Sequence, residues 1–194
     1  MKKLIALLLA LTLVFTFAAC GEDEKKPTEQ NAPAQSGGET QGAPAEVSGE
    51  TYDAGNVTVL VPTGWKAFTV ADIWSDEENA TDPDQLTLVK GGESEFDTLT
   101  KPSIQVVHYE PDSMLTPSMD FYENATALEA ITAGDLTWEG FSAADMMGNP
   151  MTILWTTNAA GHQFQLNMFS ETSAGSYALT DGDVLAILAS IANS

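Results

Sequence analysis

Three apolar-alternating runs near the C-terminal end are joined by very short turns, and this pattern limits the fold more than any other feature. Residues 137–147, 151–157 and 162–170 are separated by Gly148-Asn149-Pro150 and by residues 158–161. Strands joined so tightly pair antiparallel, because a parallel return needs a crossover of a dozen or more residues. In the third run Phe164, Leu166 and Met168 share one face, which is the two-residue period of a half-buried strand.

The same period recurs upstream. Residues 56–61 place three valines on one face, Pro62-Thr63-Gly64 turns, and residues 65–68 form a second short strand. Residues 85–90 read as a third strand, closed by Gly91-Gly92, and residues 103–109 as a fourth. In that fourth strand Ile104, Val106 and His108 share a face, and Val107 and Tyr109 take the other. Two segments carry helical spacing instead. Thr116-Pro117-Ser118 resembles a helix start, with Phe121, Tyr122, Ala125 and Leu128 following and Gly134 closing it. Val184, Ile187, Leu188 and Ile191 fall at i, i+3, i+4, i+7 behind an acidic start. The strands over 85–90 and 103–109 bear apolar groups on both sides. The expectation is therefore an α+β fold: a mostly antiparallel β-sheet with helices on both faces.

The chain resembles the PsbP-like α/β/α sandwich over residues 52–194. The resemblance is carried by the early strand leading into Val61-Pro62-Thr63-Gly64-Trp65-Lys66, the central Phe121-Tyr122 helix, and the closing segment 184–191 with Ala189-Ser190-Ile191. Members of that superfamily mostly act as binding or assembly modules. The resemblance implies a non-catalytic role, supplies no catalytic residue and implies no cofactor. Fold alone does not give function.

The front of the chain predicts its location. Met1-Lys2-Lys3 precedes an apolar run over residues 4–19, interrupted by Thr12 and Thr16. That is the charged and apolar region of an export signal, shorter than the roughly 20 residues of a spanning helix. Ala18 and Ala19 then precede Cys20, the only cysteine. The run resembles a bacterial lipoprotein signal, with Phe17 where the pattern usually has Leu. It implies cleavage after residue 19, lipidation of Cys20 and anchoring to the extracytoplasmic face of a bacterial cell membrane. Two or three acyl chains would hold the protein stably, at about 0.8 kcal/mol per buried CH₂. Residues 20–50 hold no aromatic and one β-branched aliphatic, Val47, and are expected to be a disordered tether with a reach of roughly 30 Å. Residues 51–194 form the one expected domain.

Composition removes several functions. The whole chain carries 28 acidic residues against seven lysines, with no arginine. Loss of Lys2 and Lys3 with the signal leaves five lysines and a net charge near −23. A chain like this has no basic patch for nucleic acid. No cysteine follows Cys20, so stability must come from the core.

Candidate sites remain few. With no Gly-x-Ser-x-Gly or Ser-x-x-Lys, a hydrolytic arrangement would have to use His108 or His162. Met146, Met147 and Met151, with Trp155 and His162 near them in sequence, offer soft ligands for Cu(I), although methionine is also ordinary core filler. Residues 72–84 crowd carboxylates into one loop, and Asp76, Glu78, Asp82 and Asp84 are the first choices for Ca²⁺, without EF-hand spacing. Trp74 among Asp76, Glu77 and Glu78 is a candidate surface for a basic or cationic partner. The expected function is a membrane-anchored binding or assembly module for a protein or small ligand. A Ca²⁺-binding lipoprotein is the alternative, followed by a hydrolase.

Overall fold

The computed structural model describes residues 47–113 and 116–194. The expected signal segment, Cys20 and the expected tether up to residue 46 lie outside them. Strand begins slightly before the expected domain boundary, with β1 at Gly49–Asp53. Then come β2 (Val57–Pro62), β3 (Trp65–Ala71), β4 (Thr81–Lys90), β5 (Ser103–Tyr109), β6 (Glu123–Ala127) and β7 (Ile131–Ala133). The hairpin ladder of β8 (Leu136–Ala144), β9 (Pro150–Thr157) and β10 (Gln163–Phe169) follows. The chain closes with β11 (Glu171–Thr172), β12 (Gly175–Ser176), α1 (Gly182–Ser190) and β13 (Ala192–Asn193).

All strand pairings are antiparallel. The large sheet runs β3-β4-β5-β10-β9-β8-β6, with β7 also on β8, and a smaller sheet runs β1-β2-β13. The main core lies on one face of the large sheet. Leu86 and Leu88 of β4, Ile104 and Val106 of β5, Phe164, Leu166 and Met168 of β10 and Trp138 of β8 are buried there. The small sheet contributes Val57 and Val59, and α1 contributes Val184, Ile187 and Leu188. α1 packs against β2 and β7. The two-residue period thus selects the faces read from the sequence, and the helical period of α1 selects its buried stripe.

The expected sandwich with helices on both faces is not formed. α1 is the one α-helix among the described residues, and it lies with the main core. The opposite face of the large sheet carries a small second cluster of Phe141, Met151 and Ile153, packed by Tyr122, Ala125, Trp155 and Phe169. Beside that cluster the face is polar. Gln105 Nε2 donates to Gln85 Oε1, Asn167 Nδ2 donates to Gln105 Oε1, and Gln165 Nε2 donates to Asn167 Oδ1. Side-chain amides satisfying one another across three strands need no helix to cover them. The apolar groups on both sides of β4 and β5 therefore did not require one.

The central helix expected over 116–134 is replaced by a 3₁₀ turn at Met119–Phe121 and strands β6 and β7. Ser118 does cap, but only that turn, accepting a bond from the Asp120 amide. The misleading period has a local cause. Asn124 adopts φ 55°, and the β6–β8 register shifts between Glu123 and Thr126. The irregularity places Tyr122 and Ala125, three residues apart, against one cluster, mimicking helical spacing. Leu128 packs against the main core instead.

Candidate functional site

Where β5 ends and β10 begins, two imidazoles and two carboxylates meet. Tyr109 pairs with Gln163 and His108 with Phe164. Glu110 and His162, the next residue outward on each chain, consequently emerge together at that end of the sheet. β4 pairs with β5 on the other side and delivers Asp84.

His108 sits at the bottom of this cluster, its side chain 1% exposed. Phe164 tilts against its ring at 5.5 Å between centroids. The Asp84 carboxylate accepts from His108 Nδ1 at 2.7 Å and from Asn56 Nδ2 at 2.9 Å, both through Oδ1. A carboxylate only accepts, so His108 Nδ1 carries hydrogen, and Nε2 is the ring atom left to face outward. That Nε2 lies 2.9 Å from His162 Nδ1, and one hydrogen is shared between the two facing nitrogens. The ring centroids lie 5.1 Å apart with 25° between their planes, so the rings meet edge to edge along this contact. His162 is fixed from behind by its own backbone N–H, which donates to Asn158 Oδ1 at 3.0 Å. Its side chain is 20% exposed, and the more exposed Glu110 carboxylate stands 3.7 Å from Nδ1.

The result is a directed chain from Asp84 through His108 to His162, with Glu110 at the mouth. Asp84 and His108 reproduce the acid–base half of a hydrolytic triad, but the far nitrogen of His108 meets an imidazole and not a hydroxyl. The ligating atoms of His108, Glu110 and His162 all lie within 4.8 Å of one another.

The other sequence candidates fall elsewhere. Among residues 72–84, Asp72 accepts from the Trp74 amide. Asp82 accepts from the Asp84 amide and from Gln85 Nε2, and Asp84 turns to His108. Asp76, Glu78, Asp82 and Asp84 do not converge: no three of their carboxylates come within 4.8 Å of one another. Asp76, Glu77 and Glu78 are exposed, and Trp74 stands 89% exposed among them. Met146 and Met147 lie exposed at the β8–β9 turn while Met151 is buried. They are at the opposite end of β9 from His162, since Gln163 pairs with Thr157. Met146 and Met151 line an open groove of about 600 Å³ with Phe121 and Tyr122.

Sequence reasoning singled out His108 and His162 for a hydrolytic arrangement, His162 also beside the Cu(I) candidates and Asp84 for Ca²⁺, and passed over Glu110. The available signal was the His108-x-Glu110 spacing, which puts both on one strand face. Among the described residues no helix is long and apolar enough to cross a membrane. No protein-family model matches the chain, and no curated protein matches it significantly.

Proposed function

We propose that this protein is a lipid-anchored, extracytoplasmic binding module that works by holding a ligand at the imidazole–carboxylate cluster, without covalent chemistry. The observation that carries the reading is the Asp84–His108–His162 chain, whose ring nitrogens bond to a carboxylate and to each other. A covalent mechanism needs a nucleophile within hydrogen-bond reach of the base, and among the described residues neither ring bonds to a hydroxyl. The same groups suit recognition. Two hydrogen-bonded rings and an exposed carboxylate at the mouth offer directed donors and acceptors at little ordering cost. Anchoring rests on the Ala18-Ala19-Cys20 pattern and the apolar run before it.

Two measurements test this. Radiolabelled palmitate is expected to label the wild type and not Cys20→Ala. Pull-down from solubilised membranes, read by native mass spectrometry for small molecules and by peptide sequencing for proteins, is expected to recover a reproducible partner that His162→Ala loses. A wild-type chain that repeatedly returns nothing bound would overturn the reading.

A further inference from the structure

We infer that the ligand of this cluster is a first-row divalent transition metal such as Zn²⁺, held by His108 Nε2, His162 Nδ1 and Glu110 Oε2. This inference rests on reading the cluster as a binding site and names what it binds.

The geometry is close to what such an ion requires. Metal–nitrogen bonds of about 2.0–2.1 Å at tetrahedral angles set the two nitrogens roughly 3.3 Å apart. His108 Nε2 and His162 Nδ1 stand 2.9 Å apart, so admitting an ion needs the rings to part by only a few tenths of an ångström. Glu110 Oε2, 3.7 Å from His162 Nδ1, sits at ligand spacing with an exposed side chain free to close. Three protein ligands leave a fourth position for water or a ligand from outside, the composition of an open site and not a sealed structural one.

The surroundings are those of a metal-binding histidine. A ligating imidazole characteristically donates its other ring N–H to a carboxylate, which fixes its tautomer and raises its basicity. Asp84 does this for His108, and Asn56 holds Asp84 in place. The buried Nε2 is thus aimed at the mouth before any ion arrives. On binding, the one hydrogen between the two facing nitrogens leaves for His162 Nε2 or solvent, and both lone pairs take the metal. Two imidazoles with one carboxylate favour Zn²⁺, Cu²⁺ or Ni²⁺ over Ca²⁺, which prefers an all-oxygen shell.

The test uses the full-length chain, detergent-solubilised and stripped with a chelator. Calorimetric titration with Zn²⁺ is expected to show one saturable site, with Cu²⁺ tighter and Ca²⁺ not competing. Co²⁺ should give the visible absorption of a four-coordinate ion that Zn²⁺ then bleaches. His108 is buried and its loss could unfold the chain, so the variants are His162→Ala, Glu110→Gln and Asp84→Asn. We expect affinity to fall by more than ~100-fold for His162→Ala and by about 10- to 100-fold for Asp84→Asn, with circular dichroism unchanged for His162→Ala and Glu110→Gln. Absence of saturable binding, or binding undiminished in His162→Ala, overturns the metal. The palmitate and pull-down results stand apart from this titration, so the metal and the anchored module fail separately.

Discussion

The Trp65 indole Nε1 donates to Asp183 Oδ2 at 2.7 Å, tying the start of β3 to the first turn of α1. Lys90 Nζ stands 3.2 Å from the same oxygen and 5.6 Å from the centre of the Trp65 ring. The helix is thus clamped to the sheet by a carboxylate that also meets the positive end of the helix dipole. Burial alone would push the Asp183 carboxyl up. The Trp65 hydrogen bond and Lys90 outweigh it and hold the carboxyl below the usual range.

A depressed folded-state pKa stabilises above the unfolded value, about 3.9 for Asp, and that contribution disappears as pH falls through the folded value. In this window the unfolded chain binds more protons, so stability rises with pH. Asp183→Asn is expected to cost ~1 kcal/mol at neutral pH. It should also flatten the loss of stability below about pH 4. Urea unfolding at a series of pH values checks both, and an unchanged acid slope would exclude the clamp.

Gly140 of β8 stands opposite Leu154 of β9. A Cβ there would collide with the Ile153 carbonyl oxygen and stand 2.5 Å from Leu154 Cδ2. The carbonyl belongs to the backbone of a paired strand and cannot retreat. Gly140→Ala is expected to destabilise by about 1–3 kcal/mol, read as a lower denaturation midpoint at constant m-value.

Asn124 holds φ 55° where β6 shifts register against β8, a conformation that β-branched residues resist. Asn124→Val should cost ~1–2 kcal/mol, whereas Asn124→Gly should stay within about 0.5 kcal/mol of wild type. Equal stabilities for the two variants would mean that residues 122–127 do not hold this irregularity in solution.

Trp74 is 89% exposed and Ile73 78% exposed. Truncating either removes almost no buried area, so Trp74→Ala is expected to leave stability within about 0.5 kcal/mol. Quenching by acrylamide distinguishes it from Trp138, which is fully buried: the Trp74→Ala variant should lose the most accessible part of the emission. A drop in stability above that limit would show Trp74 packed against the domain.

Strands were legible wherever a run stayed regular. The range 103–109 was read in full and emerged as β5 with the expected faces. The hairpins around Gly148 and Gly161 set the β8-β9-β10 order. Residues 122–127 misled because a single left-handed residue converts a period of two into a period of three.

By itself, the sequence determined which side of each regular element turns inward, as in Val57 with Val59, Phe164 with Leu166, and Val184 with Ile187. Alternation and helical spacing are local properties, and burial acts on them residue by residue. Only the tertiary structure decided which strands lie side by side, that one face of the large sheet closes itself with amides, and that Asp84, His108 and His162 touch. Those imidazoles are 54 positions apart, and Asp84 lies 24 from His108. Contacts of that range depend on the pairing register between distant strands, which is fixed when whole faces are buried together and not by any one segment.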